Sequence, residues 1–499
     1  MSKKNIKIMT TIILILFSLG ALLFNLDTSK DLSSSLPLIL FFEYIFTLYI
    51  SKIIINKLLK DYNIETRQRY FNFFLIGFLI SLLLLAFSWT PFLSITNPDW
   101  GFDPQRYYYY AYQIIENGDL VFGVNYVGVV YFYVFVMKIL GVDPLVPLLV
   151  NSLFTLVSVL LIAKLVVSVK NIRIGNFVWL LLIPEIIYFN IMPSREILCL
   201  SIVVFIIATF VEYLKEKKGI CLLILLFEFL FLFLIRPPFA FSLFLSIFIF
   251  LLFFSQRKIG LSSILLLVVF SVIVGGQLST ALDSMDNADS MQKSIIEKVD
   301  GKKEMNANFK YSENSLAAKL IPDNAIEFVI FGIIRSFLYL FPSPTFFSSL
   351  LNMKNAYGIG DAFVNMSSLI MMFLIPITYV LLKNIRKEKN IIQIIGITFL
   401  IFWIVVGAFN TNLIHVRYRL VYDLLYFSLV IYFVSMTDRR RVKQLITYWS
   451  GILLLIVSLF FILRKIIRNY EIYNSFRRFG KPNVSVCFVS CNENEKHKS

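Results

Sequence analysis

The sequence predicts an all-α fold, a polytopic helical membrane protein with about 13 transmembrane helices. Hydrophobic residues make up 58% of the 499 residues, and the mean hydropathy is +0.78. An average soluble domain is only about 45–50% apolar. Apolar segments of about 18 or more residues recur along the chain, each long enough to cross the hydrocarbon core as a helix. Because lipid cannot hydrogen-bond the backbone, runs of this length indicate helices.

The chain has a net charge of +16, and its basic residues cluster in the loops between the apolar segments. This clustering is typical of cytoplasmic loops, so it predicts a lipid bilayer and no nucleic acid as partner. Residues 126–140 and 326–341 are apolar but are interpreted as re-entrant or juxtamembrane helices, because counting them as spans would scatter the basic loops over both faces. The predicted spans are 8–26, 36–54, 73–91, 146–168, 176–191, 196–214, 219–235, 239–254, 260–277, 363–383, 391–408, 416–436 and 446–463.

The predicted topology divides the chain into transmembrane parts and two outer segments. It places the protein in a cell membrane as a multi-pass protein, bacterial in type, with its active site facing outward. The basic tail would lie outside, against the general trend. The parts are 1–91 (N-terminal helices), 92–145 (first outer loop), 146–277 (central bundle), 278–362 (second outer segment), 363–463 (C-terminal helices) and 464–499 (basic tail).

A set of arginines falls at the outer ends of these helices, where phosphate-bearing lipid headgroups lie. A charge at mid-bilayer costs roughly 2.5–3.5 kcal/mol, so any one of them is explained by snorkelling to the interface. As a group they predict a site for a lipid phosphate or diphosphate, because arginine binds phosphate in a bidentate manner. We expect at least three to converge on one outward cavity. The arginines are Arg106, Arg195, Arg236, Arg335, Arg417 and Arg419.

Asp103 is the leading candidate for a catalytic carboxylate. A sugar on a polyprenyl phosphate has a good leaving group, so the acceptor hydroxyl needs chiefly a positioned base. Asp103 also suits the cap of a helix over 105–117, with Pro104 in the first helical position, and the two roles are compatible. Asp99 is the reserve candidate. Glu196 either pairs locally with its neighbour Arg195 or faces Asp103 and shares an acceptor or a divalent metal with it.

Tyr107 and Tyr110 belong to a run of tyrosines that indicates either an interfacial aromatic belt or a wall contacting the sugar. His415 is assigned as a further sugar contact or as an interfacial residue. The acidic residues within predicted spans, Glu185, Glu228 and Asp423, are expected to face the bundle interior or a cavity. The nucleotide-binding, zinc-protease and serine-hydrolase signatures are missing from the sequence, which argues against those chemistries.

Several patterns resemble the GT-C superfamily of polyprenyl-phosphate-dependent glycosyltransferases, especially ArnT-like and protein-mannosyltransferase-like members. They are Asp103-Pro104-Gln105-Arg106-Tyr107 with Asn117-Gly118, Tyr126-Val127-Gly128 leading to Leu140-Gly141, Pro184 before Arg195-Glu196, and Arg417-Tyr418-Arg419-Leu420. The resemblance implies that Asp103 is the catalytic carboxylate of the first loop and that 126–140 is a surface helix. The chain departs from the family in having Arg195-Glu196 where ArnT-like members carry an aspartate, so the resemblance does not carry over a metal role.

The predicted function is therefore an inverting membrane glycosyltransferase that uses a polyprenyl-phosphate-linked sugar and a glycan, lipid or protein acceptor. Arg195-Glu196 and the outer arginines are also similar to Wzy-type polysaccharide polymerases, which is the alternative. A lipid or polysaccharide transporter or flippase is the third interpretation; it predicts internal repeats and helices broken at mid-membrane, and the sequence has no evident repeat.

Overall fold

A computed structural model describes residues 9–19, 37–92, 103–118, 127–142, 145–169, 172–193, 195–254, 330–332, 334, 336, 356–409, 419–455 and 458. Regular structure in these residues is helical throughout, as the sequence predicts. Several predictions concern residues outside the described ones. They are the predicted span 260–277, most of 326–341, the tail 464–499, and the candidate residues Asp99, Arg335, His415 and Arg417.

The chain divides into two compact units, Met1–Thr437 and Asp438–Ser499. In the second unit, the described helix covers 439–455 and is named α14. Two 3₁₀ segments, Ile174–Leu182 and Ile385–Lys387, lie in the first unit. The α-helices of the first unit are α1 (Met9–Leu19), α2 (Pro37–Leu58), α3 (Ile64–Phe92), α4 (Asp103–Asn117), α5 (Val127–Leu140), α6 (Leu145–Val167), α7 (Pro184–Asn190), α8 (Arg195–Glu216), α9 (Gly219–Ile235), α10 (Pro237–Phe253), α11 (Ala356–Lys383), α12 (Asn390–Phe409) and α13 (Leu420–Met436).

Among the described residues, four helical segments are long and apolar enough to cross a membrane: Ile64–Leu85, Val146–Val167, Arg195–Glu216 and Ala362–Lys383. Shorter apolar helices, such as α9 and α10, accompany them. Large apolar side chains on α9 remain exposed, including Phe227, which is 62% exposed. These features suit a helical membrane protein, in which such faces meet lipid. The count of 13 spans stays a prediction.

The predicted span 176–191 is wrong as a continuous helix. The structure has a 3₁₀ segment up to Leu182, an extended residue at Ile183 (φ −63°, ψ 120°) and then α7 from Pro184. The physical reason lies in the Ile183-Pro184 pair, because a proline disfavours helical geometry in the residue before it and has no N–H to donate. The break is inside the protein, since Ile183 is only 5% exposed.

Helix α8 lies at the centre of the first unit and packs against α6, α9 and α13. Helices α4 and α5 pack on each other through a cluster of buried side chains that includes Tyr108, Tyr133 and Met137. Gly128 lets α5 approach α9 closely, because a Cβ there would lie 2.7 Å from the Leu234 carbonyl oxygen. The α4–α5 pair is thereby held beside the end of α9.

The bounds of α4 agree with the predicted helix over 105–117. The helix begins at the Asp103-Pro104 pair and ends at Asn117. Gly118 follows with φ +72°, and its N–H donates to the Ile114 carbonyl at 3.2 Å. A glycine in this left-handed conformation is the usual residue after a helix end.

Candidate functional site

Two arginines and one glutamate meet where α8 begins and α9 gives way to α10. The Glu196 Oε1 atom lies 3.4 Å from Arg236 Nη1 and 4.0 Å from Arg195 Nε. Both guanidinium groups contact this carboxylate, and the three side chains together carry a formal charge of +1. We name Arg195, Glu196 and Arg236 the arginine cluster.

Arg236 reaches this position because the chain turns sharply at it. Helix α9 ends there, with the Arg236 N–H donating to the Leu232 carbonyl at 2.7 Å. The residue adopts φ −160° and ψ 89°, an extended geometry that the following Pro237 favours. Its guanidinium carbon then lies 4.5 Å from the centre of the Phe239 ring on the first turn of α10. This cation–π contact orients the arginine.

Arg195 contacts helix α4 through Tyr107. The guanidinium carbon of Arg195 lies 5.7 Å from the centre of the Tyr107 ring. Tyr107 is only 1% exposed, so its ring is a buried platform under the arginine. Asp103 begins α4 one helical turn before Tyr107, which is about 6 Å along the axis. The start of α4 and the arginine cluster are therefore adjacent parts of one site.

The ion pairs of the arginine cluster are loose and partly open to solvent. The side chains of Arg195 and Arg236 are 12% and 11% exposed, whereas Glu196 is 2% exposed. Tight charge-assisted N–H···O bonds span about 2.7–2.9 Å, and both separations here are longer. Partly exposed guanidinium groups of this kind can bind an anion.

A buried hydrogen-bond network supports the site from the side of α7. The Asn151 Nδ2 atom donates to the carbonyls of Asn190 at 3.3 Å and Met192 at 2.7 Å, and Thr155 donates to the Asn190 side chain at 2.8 Å. Tyr133 on α5 is buried and lies near the Asn151 side chain and Glu196. These contacts fix the chain between α7 and α8, and with it the position of Arg195.

A second charged cluster is formed by Arg419, Glu185 and Asp423, which are all 0% exposed. The Arg419 Nη2 atom lies 2.5 Å from Glu185 Oε2, and its Nε atom lies 3.2 Å from Asp423 Oδ1. Arg419 also donates to the Ser368 hydroxyl and to the Val364 carbonyl. The cluster joins α7, α11 and α13, and its arginine has no open face for a ligand.

The two clusters show which predicted residues come together. Arg195, Glu196, Arg236 and Tyr107 form one group of contacts. Convergence of at least three arginines stays a prediction, because Arg335 and Arg417 lie outside the described residues. Arg419 does not reach this group, because carboxylates on its own and a neighbouring helix occupy its guanidinium group. The arrangement of these residues in the described part of the chain therefore gives two converging arginines, Arg195 and Arg236, with Arg106 half-buried one residue before Tyr107.

Other predicted residues fall into two groups. Tyr107 is buried and contacts Arg195, and its contact with a sugar stays a prediction. Tyr110 is half-buried and packs on the α4–α5 cluster. Glu185 and Asp423 are buried, as predicted, and Glu228 is half-buried, with the Thr209 hydroxyl donating to it at 3.1 Å. For Asp103 the structure describes only the backbone.

Sequence reasoning missed the partners of Arg419 and the network around Asn151. The signal for the first was present, since three ionisable residues within apolar segments have to pair in the bundle interior. Which residues pair depends on how α7, α11 and α13 pack, and hydropathy carries no information on that. Across the described residues, His, Cys, Asp and Glu side chains form no group of three or more suited to a metal ion.

Comparisons with known proteins give no relative for this chain. No protein-family model matches it, and neither the curated proteins nor the solved structures contain a match.

Proposed function

We propose that this chain is an integral membrane glycosyltransferase that moves a sugar from a polyprenyl-phosphate donor to an acceptor on the outer face of the membrane. One observation carries the proposal: Arg195 and Arg236 lie partly exposed around the Glu196 carboxylate, beside the start of α4. Two partly exposed guanidinium groups suit the phosphate of a lipid-linked donor, because arginine forms paired hydrogen bonds with phosphate oxygens.

In this mechanism the arginines stabilise the leaving group. The acceptor oxygen bonds to the anomeric carbon from the side opposite the phosphate, and the bond from that carbon to the phosphate oxygen breaks. The phosphate leaves with the electron pair and is neutralised by Arg195 and Arg236. The acceptor proton goes to Asp103, the proposed general base. Because the acceptor attacks from the side opposite the phosphate, the configuration at the anomeric carbon inverts. The position of Asp103, one turn before the tyrosine under Arg195, supports this role.

A polysaccharide polymerase that joins lipid-diphosphate-linked repeats is the second candidate. The observation that favours it is that Glu196 contacts both arginines and that each arginine also stacks on an aromatic ring. A preformed pair of cations is suited to a diphosphate, which carries more negative charge than a monophosphate. A lipid transporter is the third candidate, favoured by the break at Ile183, since discontinuous helices often surround transported ligands.

Binding measurements with arginine variants test the shared premise. Arg195→Gln and Arg236→Gln, each in neutral lipid nanodiscs, should bind polyprenyl phosphate about 10- to 100-fold more weakly, as expected when a charged hydrogen bond is lost. Arg69→Gln is the matched control, because Arg69 also stacks on an aromatic ring, 5.8 Å from the centre of Phe73. Equal affinities in all three variants and the parent would refute a phosphate site at the arginine cluster.

The same preparation separates the three candidates. A glycosyltransferase releases polyprenyl phosphate from the donor, and a polymerase releases polyprenyl diphosphate while lengthening a glycan. A transporter moves the lipid-linked sugar across the bilayer and leaves its phosphate bond intact. Mass spectrometry of the lipid products from proteoliposomes distinguishes these outcomes.

A further inference from the structure

We propose that Glu185 and Asp423 together bind one proton in the interior of the protein, next to the guanidinium group of Arg419. The ligand of this site is the proton itself, held by a pair of carboxyl groups. The inference does not rest on the proposed function, because the mechanism of sugar transfer uses none of these three residues. We name Arg419, Glu185 and Asp423 the buried triad.

The charges of the buried triad do not balance when both carboxyl groups are ionised. Two negative charges then stand against one positive charge, and all three side chains are 0% exposed. An uncompensated charge is costly where solvent is excluded, and a group in that position usually becomes neutral instead. One proton on the carboxyl pair brings the formal charge of the triad to zero.

Both carboxyl groups contact the same guanidinium group, which places them close to each other. The Arg419 Nη2 atom lies 2.5 Å from Glu185 Oε2, and the Nε atom lies 3.2 Å from Asp423 Oδ1. The two carboxyl groups also interact electrostatically with each other. Because two like charges in one buried site repel strongly, carboxyl groups arranged in this way share a proton.

One oxygen of Glu185 is a suitable place for this proton. The Oε1 atom is buried and has no hydrogen-bond partner in the described part of the chain, while Oε2 of the same group contacts Arg419. A buried polar atom without a partner costs free energy, whereas a protonated carboxyl oxygen is a hydrogen-bond donor. The Asp423 carboxylate, with which Glu185 interacts, is an acceptor for such a bond.

The surroundings of the two carboxyl groups supply neutral partners. Among the described residues, Arg419 is the only cation that interacts with either group, although helices α3, α6, α8, α11 and α12 all pack on α7 or α13. On α11, the Ser368 hydroxyl and the Val364 carbonyl accept hydrogen bonds from Arg419. The phenols of Tyr422 and Tyr426 on α13 also interact with the triad, and phenols are ordinarily uncharged at neutral pH. Charge balance at the triad therefore depends on a proton.

Proton binding at this site is linked to the hold on α7. Glu185 is in the first turn of α7, directly after the break at Ile183, whereas Arg419 and Asp423 belong to the start of α13. With the proton bound, the contact between the two helices is neutral; without it, the same contact leaves a negative charge with no exposed surface. Carboxyl groups inside membrane bundles carry protons in pumps and transporters. Loss of the proton should therefore loosen the start of α7.

Infrared spectra of the full-length protein in lipid nanodiscs at neutral pH test the proposal. A protonated carboxyl group has a C=O stretching band that an ionised carboxylate lacks, and this band shifts in heavy water. We expect the parent to show such a band, with the intensity of one carboxyl group, and both Glu185→Gln and Asp423→Asn to lose it. In each variant the remaining carboxylate pairs with Arg419 and keeps no proton. Glu228→Gln, at a half-buried glutamate hydrogen-bonded to Thr209, is the matched control and should retain the band.

Absence of the band from the parent, or its persistence in Glu185→Gln, would overturn the proposal. Persistence in Asp423→Asn would overturn it as well, since the proton would then be independent of the second carboxyl group. Each variant keeps a one-to-one ion pair with Arg419, so either one decides the question should the other fold poorly.

The pH dependence of thermal unfolding gives a second measurement. A proton that is bound in the folded protein and released on unfolding makes stability fall as the pH rises. We expect the unfolding midpoint of the parent to fall between neutral and alkaline pH, and the midpoint of Glu185→Gln to fall less over the same range. An equal fall in both proteins would show that the triad binds no proton.

Discussion

The guanidinium group of Arg419 lies 2.5 Å from the Glu185 carboxylate, and neither side chain has any exposed surface. The pair joins the N-terminal end of α13 to the first turn of α7, directly after the break at Ile183. The N–H of Glu185, one of the groups that a helix start leaves without a partner, donates to the Ser367 hydroxyl at 3.0 Å. Glu185 thus anchors the start of α7 through both its side chain and its backbone.

Breaking this pair should destabilise the protein strongly. Arg419→Gln leaves two buried carboxylates without their cation, and removing one partner of a buried ion pair typically costs about 3–5 kcal/mol. We expect a clearly lower midpoint of thermal unfolding in detergent. Arg440→Gln, at an exposed arginine of α14, should leave the midpoint unchanged. A parent-like midpoint for Arg419→Gln would show that the cluster contributes little to stability.

Asp103→Asn should separate folding from catalysis. Asparagine caps helices about as well as aspartate, so α4 should form normally. Loss of a general base commonly lowers the rate about 10²–10⁴-fold, and we expect sugar transfer to fall on that scale while polyprenyl phosphate still binds. Asp99→Asn should have a milder effect. A purified Asp103→Asn protein that transfers sugar within a few-fold of the parent would remove Asp103 as the base and favour the polymerase.

Gly128→Ala tests whether the α4–α5 pair depends on its close approach to α9. A Cβ at this position would lie 2.7 Å from the Leu234 carbonyl oxygen, so one of the two helices has to shift. Overpacking of this kind costs roughly 1–3 kcal/mol. Because Leu234 is two residues before Arg236, we expect lower thermal stability together with weaker phosphate binding.

The control for this substitution is Gly451→Ala. No atom lies within 4 Å of an added Cβ at Gly451, and the residue is inside helix α14. Alanine is favoured there by about 1 kcal/mol on helix propensity, so stability should stay the same or rise. Similar losses at both positions would argue that close packing at Gly128 is not the cause.

Cysteine labelling tests the predicted topology. The first outer loop, 92–145, should face outward and 126–140 should not cross the membrane, so cysteines at Asn125 and at Val142 should both react with an impermeant reagent added outside. The positive charges on the other loops motivate this expectation. If only one of the two positions reacts from outside and the other only from inside, α5 crosses the membrane and the arrangement of 13 spans is wrong.

The sequence predicts local structure correctly where neighbouring residues mark the start and end of a helix. Asp103-Pro104 and Asn117-Gly118 mark the two ends of α4, and the helix lies between them. The break at Ile183 was missed, although Pro184 carries its signal, because an apolar segment of suitable length was interpreted as one helix. Packing decides whether such a proline stands inside a helix, as Pro376 does in α11, or starts a new one.

The candidate site was predicted only in part, for a related reason. Arg195, Glu196 and Arg236 each lie at a predicted helix end, and the structure brings those ends together. Arg419 fitted the same rule equally well and lies in another cluster. The position of a residue along its helix follows from the sequence. The direction in which its side chain points depends on how that helix is rotated against its neighbours.

Helix α7 is short, and both of its ends are tied to other helices. Glu185 at its start pairs with Arg419, while Asn190 at its end accepts hydrogen bonds from Asn151 and Thr155. Inserting one residue between them would turn everything downstream by about 100°. The amide of Asn190 would then point away from α6 while Glu185 kept its place. The contacts at both ends of α7 therefore fix the number of residues in this helix. We expect it to tolerate substitutions between those ends far better than the insertion or deletion of a single residue.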